Sequence, residues 1–225
     1  MKDNRAVLFD LDGTLLDTLE DIADSTNYIL AKYGYIERSV DEIRRFLGNG
    51  AAYLISSALP VKLDDESFNA VLEEYKEYYK AHSNIKTRPY DGVIDLLKKL
   101  KQSGICTAVV SNKPDAATKK LCEQYFESLI DFSIGDRADI CRKPSADPIK
   151  KALEVLACNK AVYVGDSEVD FQTAKNAQLP CISLTWGFRD REFLEESGAR
   201  CFANNADEIE KLIFEFLGED YDVTE

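Results

Sequence analysis

The chain has 225 residues, 45% of them hydrophobic and 31% charged, which suits one large folded domain or a medium domain with an insertion. Its net charge of −13, with no basic stripe to offset it, argues against a nucleic-acid or anionic-membrane partner. No apolar run approaches the ~20 residues of a bilayer span, and Met1-Lys2-Asp3-Asn4-Arg5 carries no signal-peptide pattern, so a cytoplasmic protein is expected.

The first predicted element is a strand over residues 6–10, an apolar run ending in Asp10, with Asp12, Gly13 and Thr14 just beyond it. Alternation along an extended chain puts Asp10 and Asp12 on one side, past the end of a buried strand. Two acids held that close repel unless a cation lies between them or one keeps a proton. With a divalent metal the pair binds phosphate, and a carboxylate can itself attack phosphorus to form an acyl phosphate.

From about residue 15 to 84 the pattern is helical only, over 20–33, 40–46, 51–58 and 65–82. This stretch reads as an all-helical insertion joined by two crossings, near 15–18 and 84–90. Two crossings make a hinge on which the insertion opens and closes over the strand ends. Within it, Gly48-Asn49-Gly50 forms a loop, and Arg44 and Arg45 read as a solvated helix face. Tyr75, Tyr78, Tyr79 and the only histidine, His82, read as packing groups of the last helix.

An α/β rhythm then resumes. A helix over 91–103 carries Val93, Leu96, Leu97 and Leu100 on one face and stops at Gly104. Strands are predicted at 105–111, 130–134, 161–165, 181–184 and 200–203. Pro114 opens one intervening helix, Pro148 sits in the first turn of another, and 206–217 closes the fold. The acidic tail from residue 218 is expected to fray. This alternation predicts a parallel sheet. The six cysteines are scattered without a CxxC pair and read as buried thiols in a reducing cytosol.

Four polar sites fall at strand ends or helix starts, where open α/β sheets bind ligands. Asp10, Asp12 and Thr14 form the first. Ser111-Asn112-Lys113 is the second, where a hydroxyl, an amide and a helix N-terminus can hold phosphate oxygens. Lys143, before Pro144, is the third, a compact point charge suited to a phosphoryl group. The fourth, Gly165-Asp166-Ser167-Glu168-Val169-Asp170, adds carboxylates; Ser167 and Glu168 read as a helix cap and a dipole-favoured acid. Mg²⁺ favours one or two carboxylates completed by substrate oxygens and water.

With these four motifs in this order, the sequence resembles the haloacid dehalogenase superfamily of phosphatases. The resemblance implies that Asp10 is the nucleophile and Asp12 the general acid/base, with Thr14 holding Asp12 or its loop. Ser111 and Asn112 would hydrogen-bond the phosphoryl oxygens, and Lys143 would neutralise charge. Mg²⁺ would be held by Asp10, Asp166 and the backbone carbonyl of Asp12, with Asp170 a ligand through water or a supporting partner. The presence of Asp12 favours phosphate-ester hydrolysis or phosphoryl transfer over haloacid chemistry.

The helical insertion resembles the family's cap, with Gly48, Asn49 and Gly50 as its substrate-recognition loop. The β-phosphoglucomutase branch carries an arginine after the loop glycine, and Asn49 departs from that pattern. Trp186-Gly187-Phe188-Arg189 is similar to the phosphoglycolate phosphatase branch, and pyrophosphatases of the same group carry related segments; Trp186 lies either at the mouth of the site or anchors a turn.

The expectation is thus a doubly wound, Rossmann-like α/β core with a parallel sheet, residues 1–14 and 85–225, and a helical-bundle cap, residues 15–84. The expected activity is Mg²⁺-dependent hydrolysis of a small phosphorylated metabolite, phosphoglycolate first. A pyrophosphatase, a sugar-phosphate or nucleotide phosphatase, and a mutase are the alternatives. Intact Asp10, Asp12, Lys143 and Asp166 speak against a non-catalytic phospho-ligand module. The protein is expected to be a monomer or weak homodimer with no nucleic-acid or membrane partner.

Overall fold

Val- and Leu-rich runs buried on both faces form parallel strands flanked by helices. In the computed structural model, which describes residues 4–218, β1 (Arg5–Phe9) leads through a short β2 (Leu16–Asp17) into four helices. These are α1 (Leu19–Lys32), α2 (Val40–Arg45), α3 (Gly50–Ala58) and α4 (Asp65–His82). A short β3 (Arg88–Pro89) returns the chain to α5 (Val93–Gln102), β4 (Cys106–Pro114), α6 (Asp115–Phe126) and β5 (Phe132–Asp136). Then follow α7 (Asp147–Leu156), β6 (Lys160–Gly165), α8 (Glu168–Asn176) and β7 (Cys181–Leu184). The described chain closes with α9 (Arg191–Glu196), β8 (Phe202–Ala203) and α10 (Ala206–Leu217). The tail predicted to fray lies, past Gly218, outside the described residues. No helix among the described residues is long and apolar enough to cross a membrane.

The main sheet has six strands in the order β5-β4-β1-β6-β7-β8, all parallel. The chain winds outward from β1 through β4 to β5, crosses back to β6, and winds outward the other way. This is the doubly wound order, and its switch point lies between β1 and β6. Phe9 is in register with Val109 on one side and Val164 on the other, so the carboxyl ends of β1 and β6 finish together.

Alternation along the strands separates two cores. Val7, Phe9, Val109, Val162 and Val164 face α5, α6 and α10 through Leu97, Leu121 and Ile213. Ala6, Leu8, Ala108, Val110 and Tyr163 face the opposite side, against Ile149, Ala152 and Ala174. Leu97 and Leu100 are fully buried, and truncating either to Ala would cost ~2–5 kcal/mol.

The helices α1–α4 bury a core of their own, including Ile29, Ile43, Ile55, Val71 and Tyr75. Phe188, from the loop after β7, also packs in it. Capping fixes two helix starts: Ser39 and Glu42 form a capping box, and the Asp64 carboxylate accepts from Ser67 N–H.

The two crossings are not bare linkers. Leu16 and Asp17 pair antiparallel with Pro89 and Arg88. The buried Asp21 carboxylate of α1 accepts from the N–H groups of Ile85, Lys86 and Thr87 and from the Thr87 hydroxyl. Leu15 and Leu16 pack in the sheet-side core. The cysteines depart from the expectation of buried thiols: all six are free, but only Cys122 is buried and Cys141 is exposed.

Candidate active site

The switch point sets two acids side by side. Asp10 directly follows β1, its N–H bonded to Val164 O at 2.9 Å, and Asp166 directly follows β6. Asp170, in the first turn of α8, completes a buried trio whose ligand oxygens lie within 4.8 Å of one another. The Lys143 ammonium is 2.9 Å from Asp10 Oδ1 and 2.7 Å from Asp170 Oδ1.

Crowding shows in the protonation of these groups. Burial pushes the Asp10 carboxyl up to about 7; Lys143 pulls it down, and Asp170 and Asp12 push it up. Burial, then Asp170 and Asp10, hold Asp166 well above the usual carboxylate range. Burial alone would lower Lys143, but Asp10 and Asp170 outweigh it and keep the ammonium charged.

The donor counts separate the three acids. A carboxylate offers about four acceptor positions. Asp170 fills them, with Lys143 and Tyr163 on Oδ1 and the N–H and hydroxyl of Ser167 on Oδ2. Asp166 takes one donor on each oxygen, the Thr14 hydroxyl at 3.0 Å and Phe188 N–H at 2.7 Å. Asp10 Oδ1 is buried, and the Lys143 ammonium at 2.9 Å, not well aligned for a hydrogen bond, is among the described residues the one cation against it. Asp10 and Asp166 therefore keep lone pairs for a hard cation, and Asp170 orients Lys143 behind them. The residues present fit Mg²⁺, which binds through one or two carboxylates.

Two glycines let the loops press onto Asp166. A Cβ on Gly13, whose φ is +84°, would lie 2.4 Å from Asp166 Oδ2. One on Gly187 would lie 2.2 Å from Asp166 Cβ.

The predicted residues converge on one cavity of about 370 Å³ between the sheet and the helical layer. Asp10, Asp12, Ser111, Asn112, Lys143 and Asp166 line it, with Gly48 and Gly50 from the loop before α3; Asn49 does not. Of the two roles expected for Thr14, the structure shows no bond to Asp12: its hydroxyl donates to Asp166, which ties the loop after Asp12 to the end of β6. Asn112 differs from expectation. Its amide donates to Gly48 O at 3.1 Å and Lys143 O at 3.2 Å, so both hydrogens join loop to loop and its side chain has none for a phosphoryl oxygen.

Other contacts could not be read from spacing alone. Lys113, buried after Ser111-Asn112, lies 2.8 Å from Asp12 Oδ1 and 2.6 Å from the Tyr79 hydroxyl. Tyr79 thus serves the site as well as packing its helix; Tyr78 and His82 stack, as packing groups should. Arg44 is no solvated face: its guanidinium donates to Gly187 O and Asp190. Arg189 pairs with Glu168 and donates to Arg44 O and Leu47 O, and Trp186 donates to Thr14 O. The segment 186–189 so ties the first acid loop to the helical layer.

The site is that of a hydrolase with a charged, metal-ready centre at a doubly wound switch point. The chain belongs to the haloacid dehalogenase-like hydrolases, whose family profile matches residues 7–184. It is 35% identical over 188 residues to the phosphoglycolate phosphatase of Rhodobacter capsulatus, covering 82% of this chain and 85% of that one. With the phosphoglycolate phosphatase of Aquifex aeolicus the identity is 32% over 187 residues, covering 82% and 86%. A crystal structure from Lactobacillus delbrueckii subsp. bulgaricus, provisionally named a phosphoglycolate phosphatase, superposes with a TM-score of 0.87 at 35% identity, covering 94% of this chain and 98% of that one. Family and relatives together make the chain a phosphoric monoester hydrolase.

Proposed function

We propose that this phosphatase hydrolyses a small anionic phosphomonoester, phosphoglycolate first, through a phosphoryl group carried on Asp10, with Mg²⁺ as cofactor. The observation that carries the reading is Asp10 itself. It is a buried carboxylate at the switch point, with an oxygen lacking any aligned donor and Lys143 at 2.9 Å. An acid so placed can attack phosphorus while the ammonium balances charge on the phosphoryl oxygens.

Asp12, two residues on, also lines the cavity and is the group that protonates the leaving oxygen and later takes a proton from water. Ser111 supplies a hydroxyl to the phosphoryl oxygens. Mg²⁺, held by Asp10 and Asp166, would supply charge stabilisation for the phosphoryl group and cancel the repulsion among the acids. Asp170 and Thr14 act through Lys143 and Asp166, which they hold.

Residues 15–84 are proposed to act as a cap that excludes water and presents Gly48 and Gly50 to the leaving group. The size of the cavity, about 370 Å³, suits a small ester. The relatives named as phosphoglycolate phosphatases support the choice of substrate.

The test is phosphate release from 2-phosphoglycolate, pyrophosphate, nucleoside monophosphates, glucose 1-phosphate and glycerol phosphates, with Mg²⁺ and with EDTA. The expected result is Mg²⁺-dependent release with kcat/KM for 2-phosphoglycolate at least tenfold above the rest. Equal rates across the panel would overturn the substrate, and full activity in EDTA would overturn the cofactor.

A further inference from the structure

Lys113 is a buried cation that the reading above leaves without a role. Among the described residues, it and Lys143 are the buried lysines lining the cavity, at 7% and 3% exposure. Lys143 belongs to Asp10 and Asp170. Lys113 stands instead beside Asp12, at 2.8 Å, and is steadied by the hydroxyl of Tyr79 at 2.6 Å. Its ammonium also lies 4.7 Å from the Tyr79 ring centroid.

A buried ammonium is held charged at a cost in desolvation, which one carboxylate and one phenol offset only in part. It has three hydrogens, and these two partners leave one for a ligand in the cavity. Position decides which ligand. An oxygen that takes its proton from Asp12 lies within a hydrogen bond of that carboxyl, ~2.7 Å. Lys113 is as close to the same carboxyl, so it neighbours the leaving group rather than the phosphorus.

We infer that Lys113, braced by Tyr79, is a specificity residue that binds an anionic group on the leaving portion of the substrate, one or two bonds from the ester oxygen. The inference rests on the phosphatase reading and narrows it. The preferred substrates are then phosphomonoesters whose alcohol carries a carboxylate on the carbon that bears the ester oxygen. A neutral alcohol gains nothing from this lysine. The net charge of −13 makes the point sharper, since a buried cation is needed to offset the protein's own field on a multiply charged ester.

The experiment compares two esters, 2-phosphoglycolate and ethyl phosphate, in wild type, Lys113→Met and Lys113→Arg, with Mg²⁺ present. Losing a hydrogen bond to a charged group corresponds to about a tenfold to hundredfold loss of kcat/KM. Because Lys113 also touches Asp12, both esters share any effect on that acid, and the inference predicts that Lys113→Met loses kcat/KM for 2-phosphoglycolate about tenfold to hundredfold more than for ethyl phosphate, the difference carried mainly by KM. Lys113→Arg keeps the charge and is expected to keep most of the preference.

Equal losses for both esters in Lys113→Met, carried by kcat and accompanied by a shifted pH profile, would mean that the lysine only positions Asp12, and would overturn the inference. Should Lys113→Met not fold, Tyr79→Phe removes the brace alone. It is predicted to raise KM for 2-phosphoglycolate and not for ethyl phosphate; an equal effect on both would likewise overturn the inference. Failure of the wild type on both esters would instead count against the phosphatase substrate class itself.

Discussion

Asp10 is the residue on which the chemistry turns, and its burial has a measurable consequence. Its carboxyl is raised from an ordinary 3.8 to about 7, chiefly by burial, against the pull of Lys143. A group raised in the folded state contributes stability that is whole below about pH 4 and is lost as pH rises through 7. Glu42, Asp64 and Glu208, whose values are lowered by hydrogen bonds, act in the opposite sense as pH falls. Comparison with Asp10→Asn removes this carboxyl, together with the charge it shares with Lys143 and Asp166. In EDTA, the Tm of the Asn variant is predicted to exceed that of wild type by a margin that grows from pH 4 to 7. Added Mg²⁺ should narrow it. A margin constant across that range would show that Asp10 is not held in an unfavourable charged state.

Among the elements, the crossings and the segment 186–189 were legible only in part, and the short α9 that follows was not predicted. Helix and strand positions followed from period: α4 spans the predicted 65–82 and β7 the predicted 181–184. The β2–β3 ribbon did not, because two-residue strands have no period to read, and Pro89 argues against a strand. Nor did the Asp21 clamp, since an acid in a first helical turn is explained by the helix dipole alone. Its carboxylate in fact gathers three backbone N–H groups of the return crossing.

Asp21→Ala leaves the buried Thr87 N–H and hydroxyl without their acceptor and frees the N–H groups of the more exposed Ile85 and Lys86, and is predicted to cost about 1–3 kcal/mol. Hydrogen exchange at Ile85, Lys86 and Thr87 should quicken well beyond that of β1 or β6. Uniform quickening across the molecule would deny the clamp a local role. In the same way, Trp186-Gly187-Phe188-Arg189 stood out in sequence only as a resemblance. Its physics lies in partners up to 172 residues away, such as Trp186 Nε1 on Thr14 O.

For the whole molecule, an α/β sheet brings four distant motifs to one edge, and the helical layer covers them. The order of strands explains why those motifs met: β1 and β6 are neighbours at the switch point, and Asp10 and Asp166 follow them directly. Which contact each motif residue makes was beyond the sequence. Thr14, Asn112 and Lys113 sit in motifs that spacing located, yet their partners, Asp166, Gly48 O and Tyr79, come from other elements.

The central claim is that Asp10 carries the phosphoryl group. The most direct measurement is to quench the enzyme during turnover of 2-phosphoglycolate with Mg²⁺ and treat it with borohydride, which reduces an acyl phosphate but not a carboxylate. Peptide mass spectrometry then reads the side chain at position 10. The account predicts homoserine there, dependent on substrate and on Mg²⁺, and no turnover in Asp10→Asn. An unreduced Asp10 in an enzyme caught turning over, together with an active Asp10→Asn variant, would contradict it.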